Sequence, residues 1–239
     1  MAIVSNTVDY LDDDVLLEGF FAYDDTLVGV RPVVLIHHAW AGRDEFVAEK
    51  AKKLAELGYL AFATDMYGKG VIGSSPQENA SLMQPFMANR AKLQQRLQRA
   101  LAAVKLMPWA DDTRIAAMGF CFGGLCALDL ARSGVDIRGV VSFHGLLIPA
   151  DNIPKPEIKA KVLVLHGHDD PMAPPEQVLA LQSELTQAGA DWQVHVYGGT
   201  LHAFTNPVAN DPGFGTVYQA LADKRSWQAM QNFLAEIFA

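Results

Sequence analysis

Gly119-Phe120-Cys121-Phe122-Gly123-Gly124 follows the apolar run Arg114-Ile115-Ala116-Ala117-Met118 and leads into the apolar stretch Leu125-Cys126-Ala127-Leu128. Read together, these residues predict a strand at about 114–118, a tight glycine-flanked turn, and a helix over about 122–133. The turn has the nucleophile-elbow pattern G-x-S-x-G with cysteine in place of serine. The spacing has a physical cause. A nucleophile raised on a strained strand-to-helix turn needs small residues two before and two after it, because backbones crowd there. The same turn sets Cys121 at a helix N-terminus, where the helix dipole favours a thiolate. G-x-S-x-G occurs nowhere in the chain, so no serine competes for the position.

Working outward, Val33-Val34-Leu35-Ile36 reads as a strand buried on both faces. A loop at Trp40-Ala41-Gly42 follows, and Phe46, Leu54 and Leu57 then keep helical spacing until Gly58, placed as a helix-terminating C′ glycine. Further strands are expected at Tyr59–Thr64, Gly139–Phe143, Val162–His166 and Trp192–Tyr197. Helices are expected at about 89–107, 175–188 and 216–237. The alternation calls for an α/β fold with a mostly parallel sheet and helices on both faces. Residues 7–21 lack a helical period, and Asp12-Asp13-Asp14 marks a turn, so an N-terminal antiparallel hairpin is expected at the sheet edge. Gly68 to Pro85 interleaves Gly, Ser and Pro and reads as a loop excursion over the crevice at the carboxyl ends of the strands. No linker-like region divides the chain, and residues 1–239 read as one domain.

The composition excludes several function classes. Half of the 239 residues are hydrophobic and 19% are charged, enough apolar material for a sizeable core. A formal net charge of −8 argues against binding a phosphate backbone. Two cysteines, five positions apart, rule out a disulfide scaffold. The longest apolar stretch, Ile115 to Leu128, falls short of the roughly 20 residues that span a membrane. Seven acids precede the first basic residue, Arg31, the reverse of a secretory signal. The expectation is a soluble cytoplasmic protein with a small-molecule substrate and neither nucleic-acid nor membrane partners.

Two further motifs join the elbow. The strand ending at His166 runs into Gly167-His168-Asp169-Asp170-Pro171-Met172-Ala173-Pro174, and the strand ending at Tyr197 runs into Gly198-Gly199-Thr200-Leu201-His202-Ala203-Phe204. Cys121, Asp170 and His202 then each follow a strand, project from one sheet edge, and keep the nucleophile–acid–base order of an α/β-hydrolase triad. Asp170 is preferred to Asp169 because it opens the Asp-Pro-Met-Ala-Pro turn. The same segment offers a competing reading. His166, His168 and Asp170 fit an H-x-H-x-D pattern, a donor set that suits zinc. Against it, His166 ends a buried strand and no further histidine completes the cluster, so no metal and no other cofactor is expected. A third reading is a non-catalytic ligand-binding protein on the same fold.

On these motifs the chain resembles, over residues 5–238, the dienelactone hydrolases, cysteine-dependent α/β-hydrolases that open enol-lactones. The resemblance implies Cys121 as nucleophile, His202 as base and Asp170 as the acid that orients it. It also implies an oxyanion hole from the backbone N–H groups of Phe122 and Trp40, one donor following the nucleophile and one from the loop after an early strand. Two positions depart from the family's lactone-cleaving members. Ala39 stands where they carry a glutamate, and Asn206 where they carry a substrate-gripping arginine. The chemistry therefore transfers better than the substrate does.

Four more residues complete the candidates. His38, at the end of the strand before Trp40, and His144, in Ser142-Phe143-His144-Gly145, are expected either to line the crevice or to be structural. Arg90 supplies a cation if the Met83–Met87 segment folds over the site, although a solvated helix residue is the favoured account. Cys126 reads as a small core residue.

Overall fold

Ile3–Asp12 (β1) and Val15–Asp24 (β2) pair antiparallel through the two-residue loop Asp13-Asp14. Asp13 takes φ 52°, a left-handed conformation that aspartate tolerates better than most residues. The hairpin is longer than the sequence suggested, and Asp12 is not part of the solvated turn. It closes β1 as a buried residue, with its carboxylate 2.5 Å from Arg96 Nε. The computed structural model describes residues 2–151, 153–154 and 156–239. The chain divides into two compact units, Met1–Ala117 and Met118–Ala239.

In the first unit the hairpin is followed by Arg31–His37 (β3), Glu45–Glu56 (α1), Leu60–Ala63 (β4), Pro76–Ala88 (α2) and Arg90–Lys105 (α3). Ala110–Phe120 (β5) begins in this unit and ends in the next. The strand order is β1-β2-β4-β3, with β2 antiparallel and β3 parallel to β4. Val33 to Ile36 are fully buried, as their unbroken apolar run requires. Helix α1 is capped by the Asp44 side chain accepting from Val47 N–H, and it stops at Gly58 with φ 92°. Helix α3 buries Leu93, Leu97, Ala100, Leu101 and Val104, with Arg96 on the same face.

The excursion expected from Gly68 to Pro85 is only partly a loop. From Pro76 onward it is helix α2, which carries Pro76 in its first turn and Pro85 near its end. Two prolines and only Asn79 and Phe86 buried leave no amphipathic period to read. The N-terminal signal was present nonetheless. Ser75 caps with its hydroxyl to Glu78 N–H, and Pro76 occupies a position where proline costs no hydrogen bond.

In the second unit the end of β5 passes into Phe122–Arg132 (α4), followed by Gly139–Phe143 (β6), Lys161–Gly167 (β7), Pro175–Gln187 (α5) and Trp192–Tyr197 (β8). Asn210–Asp211 (β9), Thr216–Val217 (β10) and Ala220–Ile237 (α6) complete it. The last helix starts four residues later than its apolar pattern suggested, because residues 216 and 217 pair with β9 instead. Strands β6, β7 and β8 are parallel neighbours, with Phe143 opposite Leu165 and Gly167 opposite Tyr197. The loops that follow these strands therefore leave from one edge. Within this unit Arg132 of α4 forks onto both Glu184 oxygens of α5, at 2.8 Å each, in a charge-assisted bidentate pair. Parallel strands joined through helices, with an antiparallel N-terminal hairpin, make the α/β class that the sequence called for. Among the described residues no helix is long and apolar enough to cross a membrane.

Candidate active site

Cys121 sits between β5 and α4 at φ 58° and ψ −117°, as the N-cap residue of the helix. Its carbonyl accepts from Gly124 N–H at 2.9 Å, and its own N–H donates to Phe143 O at 3.1 Å. The glycines are sterically required. A Cβ on Gly119 would lie 2.0 Å from the Gly123 carbonyl oxygen, and one on Gly124 would lie 2.6 Å from Gly145 Cα. A non-glycine residue held at positive φ where side chains cannot relieve the crowding is strained backbone of the kind found at reactive sites. Cys121 is half-buried, and Phe122 opens α4 in the first turn, where helix N–H groups point out of the N-terminus.

Asp170 lies in the β7–α5 loop, only 2% exposed. One carboxylate oxygen accepts from Met172 N–H at 2.8 Å, and the other lies 2.7 Å from His202 Nδ1. Asp169 is exposed, so of the two neighbouring acids Asp170 alone reaches the histidine. His202 is fixed from both sides of its backbone, its N–H donating to Gly215 O and its carbonyl accepting from Val217 N–H. With Nδ1 turned to Asp170, Nε2 is the nitrogen left for proton exchange. Burial alone would make this imidazole harder to protonate. The electrostatic influence of Cys121 and the hydrogen bond to Asp170 outweigh that, and its pKa is pushed up to about 10. The second unit thus brings Cys121, Asp170 and His202 into one charge-coupled set.

The other candidates fall differently. His144 is buried, its Nε2 lying 2.8 Å from Thr205 Oγ1 and its ring meeting that of His202 edge to face at 5.1 Å. Thr205 is a site neighbour that the sequence reading missed; only its place three residues past His202 could have drawn notice. Asn206 uses its side-chain carbonyl to accept from Val208 N–H, a local turn cap. His166 is buried, and burial makes it harder to protonate, whereas His168 is exposed. His166 lies inside β7 and His168 past its end in the following turn, and among the described residues no group of three or more His, Cys, Asp and Glu converges to hold a metal. The H-x-H-x-D match is a strand end followed by a turn. Both cysteines are free thiols, Cys126 buried within α4.

In the first unit, His38 is a structural histidine. It is buried, Nδ1 lies 2.6 Å from Ala39 O, and Nε2 accepts from Met66 N–H, so backbone engages both nitrogens and neither remains for a ligand. Its neighbour His37 is also buried, with Nδ1 against Thr64 Oγ1. Trp40 and Ala39 lie half-buried in the loop after β3, and the Trp40 carbonyl accepts from the Tyr67 hydroxyl. Arg90 is not a solvated helix residue. It opens α3 at 4% exposure.

A family model described as the dienelactone hydrolase family matches residues 18–238. A Caenorhabditis elegans protein, whose name states no activity, is 41% identical over 151 residues, covering 62% of this chain and 96% of its own. A protein of Aquifex aeolicus (strain VF5) named "Putative carboxymethylenebutenolidase" is 27% identical over 235 residues, covering 95% of this chain and 96% of its own. The crystal structure of a dienelactone hydrolase-like promiscuous phosphotriesterase from metagenomic libraries is 37% identical, superposes with a TM-score of 0.95 and covers 100% of both chains.

Proposed function

The chain belongs to the dienelactone hydrolase family, and from that premise we propose that it hydrolyses an ester or lactone through a thioester formed on Cys121. The observation that carries the reading is the held imidazole. His202 is bonded through Nδ1 to Asp170 at 2.7 Å, and the charge at Cys121 helps to raise its proton affinity. That is the arrangement an activated cysteine nucleophile needs.

In this mechanism the Cys121 sulfur attacks the substrate carbonyl, a C–S bond forms, and the π electrons move to oxygen. The oxyanion is met by the backbone N–H of Phe122 at the helix N-terminus, a preorganised donor where charge develops. Collapse breaks the C–O bond, and the leaving alkoxide takes the proton from His202 Nε2. In a lactone the alcohol stays tethered to the acyl group. A water then gives a proton back to His202 and attacks the thioester, the C–S bond breaks, and the carboxylic acid leaves. Asp170 holds the tautomer and stabilises the imidazolium throughout. The steps require no cofactor.

Ala39 and Asn206 make neutral esters and lactones the favoured substrates, because neither offers a cation to a substrate carboxylate. The same sulfur could attack phosphorus, and the 37% identical phosphotriesterase makes a phosphotriester the second substrate class to assay.

The deciding experiment is mass spectrometry of the protein quenched during turnover of an activated ester. An acyl adduct on the peptide holding Cys121 is expected, Cys121→Ala should abolish both adduct and turnover, and Cys126→Ala should retain them. Undiminished turnover in Cys121→Ala would sink the mechanism. Tight binding of esters with no adduct in the native chain would favour a non-catalytic binding protein.

A further inference from the structure

We propose that His144 is a positioning residue for His202, holding the base against its loop through Thr205 and presenting a neutral aromatic ring to the base when it is charged.

The dipeptide Phe143-His144 at the end of β6 touches all three arms of the site. The Phe143 carbonyl accepts from the N–H of Cys121, and the His144 N–H donates at 2.8 Å to the Leu165 carbonyl of β7, the strand that runs on to Asp170. The His144 side chain reaches the third arm, with Nε2 2.8 Å from the hydroxyl of Thr205, three residues after His202. Any shift of this dipeptide moves the nucleophile, the acid strand and the base loop relative to one another.

His144 also holds φ 37°, one of four non-glycine residues at positive φ among those described. Three of the four are Cys121, His144, whose ring meets that of His202, and Ala203, the residue after His202. Such backbone persists only where surrounding contacts over-determine it. Here the ring is packed between Phe204 at 5.1 Å, Phe120 at 6.0 Å and His202 at 5.1 Å, and the residue is 2% exposed. Burial of that depth leaves little of the ring for a substrate to touch. A lining role therefore explains the geometry less well than a positioning role does.

The ring contact has an electrostatic consequence. An imidazolium set over the face of a neutral aromatic ring, within about 6 Å of its centroid, is stabilised by the ring's quadrupole, more so when water is excluded, and the T-shaped pair of His144 and His202 sets one ring's edge against the other's face at 5.1 Å. The titratable groups that act on His202 are Cys121, Asp170 and His166, with His144 packed edge to face. Cys121 and Asp170 favour the charged base, and a protonated His166 would oppose it. His144 adds to the first pair only while it is neutral itself, a state consistent with a hydroxyl rather than a carboxylate as its Nε2 partner.

The inference rests on the triad reading, but it has a readout that needs no turnover. The His202 ring is titrated by NMR in the native chain, His144→Ala, His144→Phe, Thr205→Val and Thr205→Ser. Loss of the ring in His144→Ala should lower the His202 midpoint by about one unit or more. In rate measurements kcat should fall about tenfold or more with KM nearly unchanged. His144→Phe keeps the ring and should retain most of the midpoint while losing rate. Thr205→Val removes only the hydroxyl and should lose rate, and Thr205→Ser should restore it. Should His144→Ala fail to fold, the Thr205 pair carries the test alone. An unshifted His202 in His144→Ala with a raised KM and native kcat would make His144 a substrate-lining residue and overturn the proposal, as would native rates in Thr205→Val. A chain without esterase activity that still shows the midpoint shift would refute the proposed reaction and leave this inference standing.

Discussion

Asp170 and His202 meet at 2.7 Å between Oδ2 and Nδ1 although thirty-two residues separate them, and each is no more than 2% exposed. The second carboxylate oxygen is held by Met172 N–H, so the acid cannot rotate away without leaving a backbone donor unpaired in the interior. Replacing Asp170 by Asn keeps the shape but offers an amide where a charge and an acceptor stood. Turnover of an activated ester should fall by about 10²–10⁴-fold, because the imidazole loses both tautomer and charge support. Steady-state kinetics beside a thermal melt near that of the native chain would check it; native turnover would remove Asp170 from the mechanism.

The pH dependence follows from His202. Its folded pKa of about 10 stands above the ordinary 6.5, so the imidazolium persists through neutral pH and is lost as pH rises through 10. Stability from this group is complete below 6.5, declines steadily as pH rises between 6.5 and 10, and is gone above 10. The leaving group takes its proton from that imidazolium, so kcat/KM should hold level from neutral pH and fall on an alkaline limb near 10. In Cys121→Ala the histidine loses its largest favourable neighbour, and its NMR midpoint should move down. A midpoint unchanged by that substitution would uncouple the two side chains.

The elbow makes a steric prediction. Gly119→Ala places a Cβ against backbone, at 2.0 Å from the Gly123 oxygen, with no flexible side chain to yield. Overpacking of this kind costs about 1–3 kcal/mol, occasionally more, and it displaces Cys121 as well. Urea unfolding and ester turnover should both be impaired. Gly198→Ala, with nothing within 4 Å of the added methyl, is the control and should leave both near native.

Substrate charge is open to test at residue 206. A guanidinium there would make charge-assisted bonds to a carboxylate that an amide cannot match. Asn206→Arg should raise kcat/KM for an anionic lactone about tenfold over its neutral analogue, the equivalent of one such bond. The lost cap on Val208 should appear as a small drop in thermal stability. A native chain that already prefers the anion would show that another cation grips it.

What could be read in the sequence divides by range. The pairing of Asp170 with His202 was legible because each sits in a short motif at a strand end, and the parallel run of the strands puts those ends on one edge. The core strands were legible for the same local reason. The role of His144 was not, because its partner Thr205 is 61 residues away and nothing in either segment names the other. The fate of the acidic turn was hidden likewise, since Asp12 is buried by an arginine 84 residues on. Helix α2 escaped because its prolines mask a helix that has almost no core-facing stripe, while Arg90 carries no sequence mark that separates a buried arginine from a solvated one.

The paired histidines at the end of β3 carry a liability remote from the reaction chemistry. Burial first, and then the neighbouring His38, hold His37 neutral down to a pKa of about 3, and burial also lowers the proton affinity of His38 and His166. Below 6.5 the unfolded chain takes up protons that the folded one refuses, so His37 drains about 1.4 kcal/mol of stability per pH unit, and His38 and His166 act in the same direction. His37 alone then costs about 2 kcal/mol by pH 5, a large part of what a domain of this kind has to spare. Acid should therefore melt this protein before it silences the site, and the falling edge of any rate profile below pH 5 is to be read against circular dichroism as unfolding.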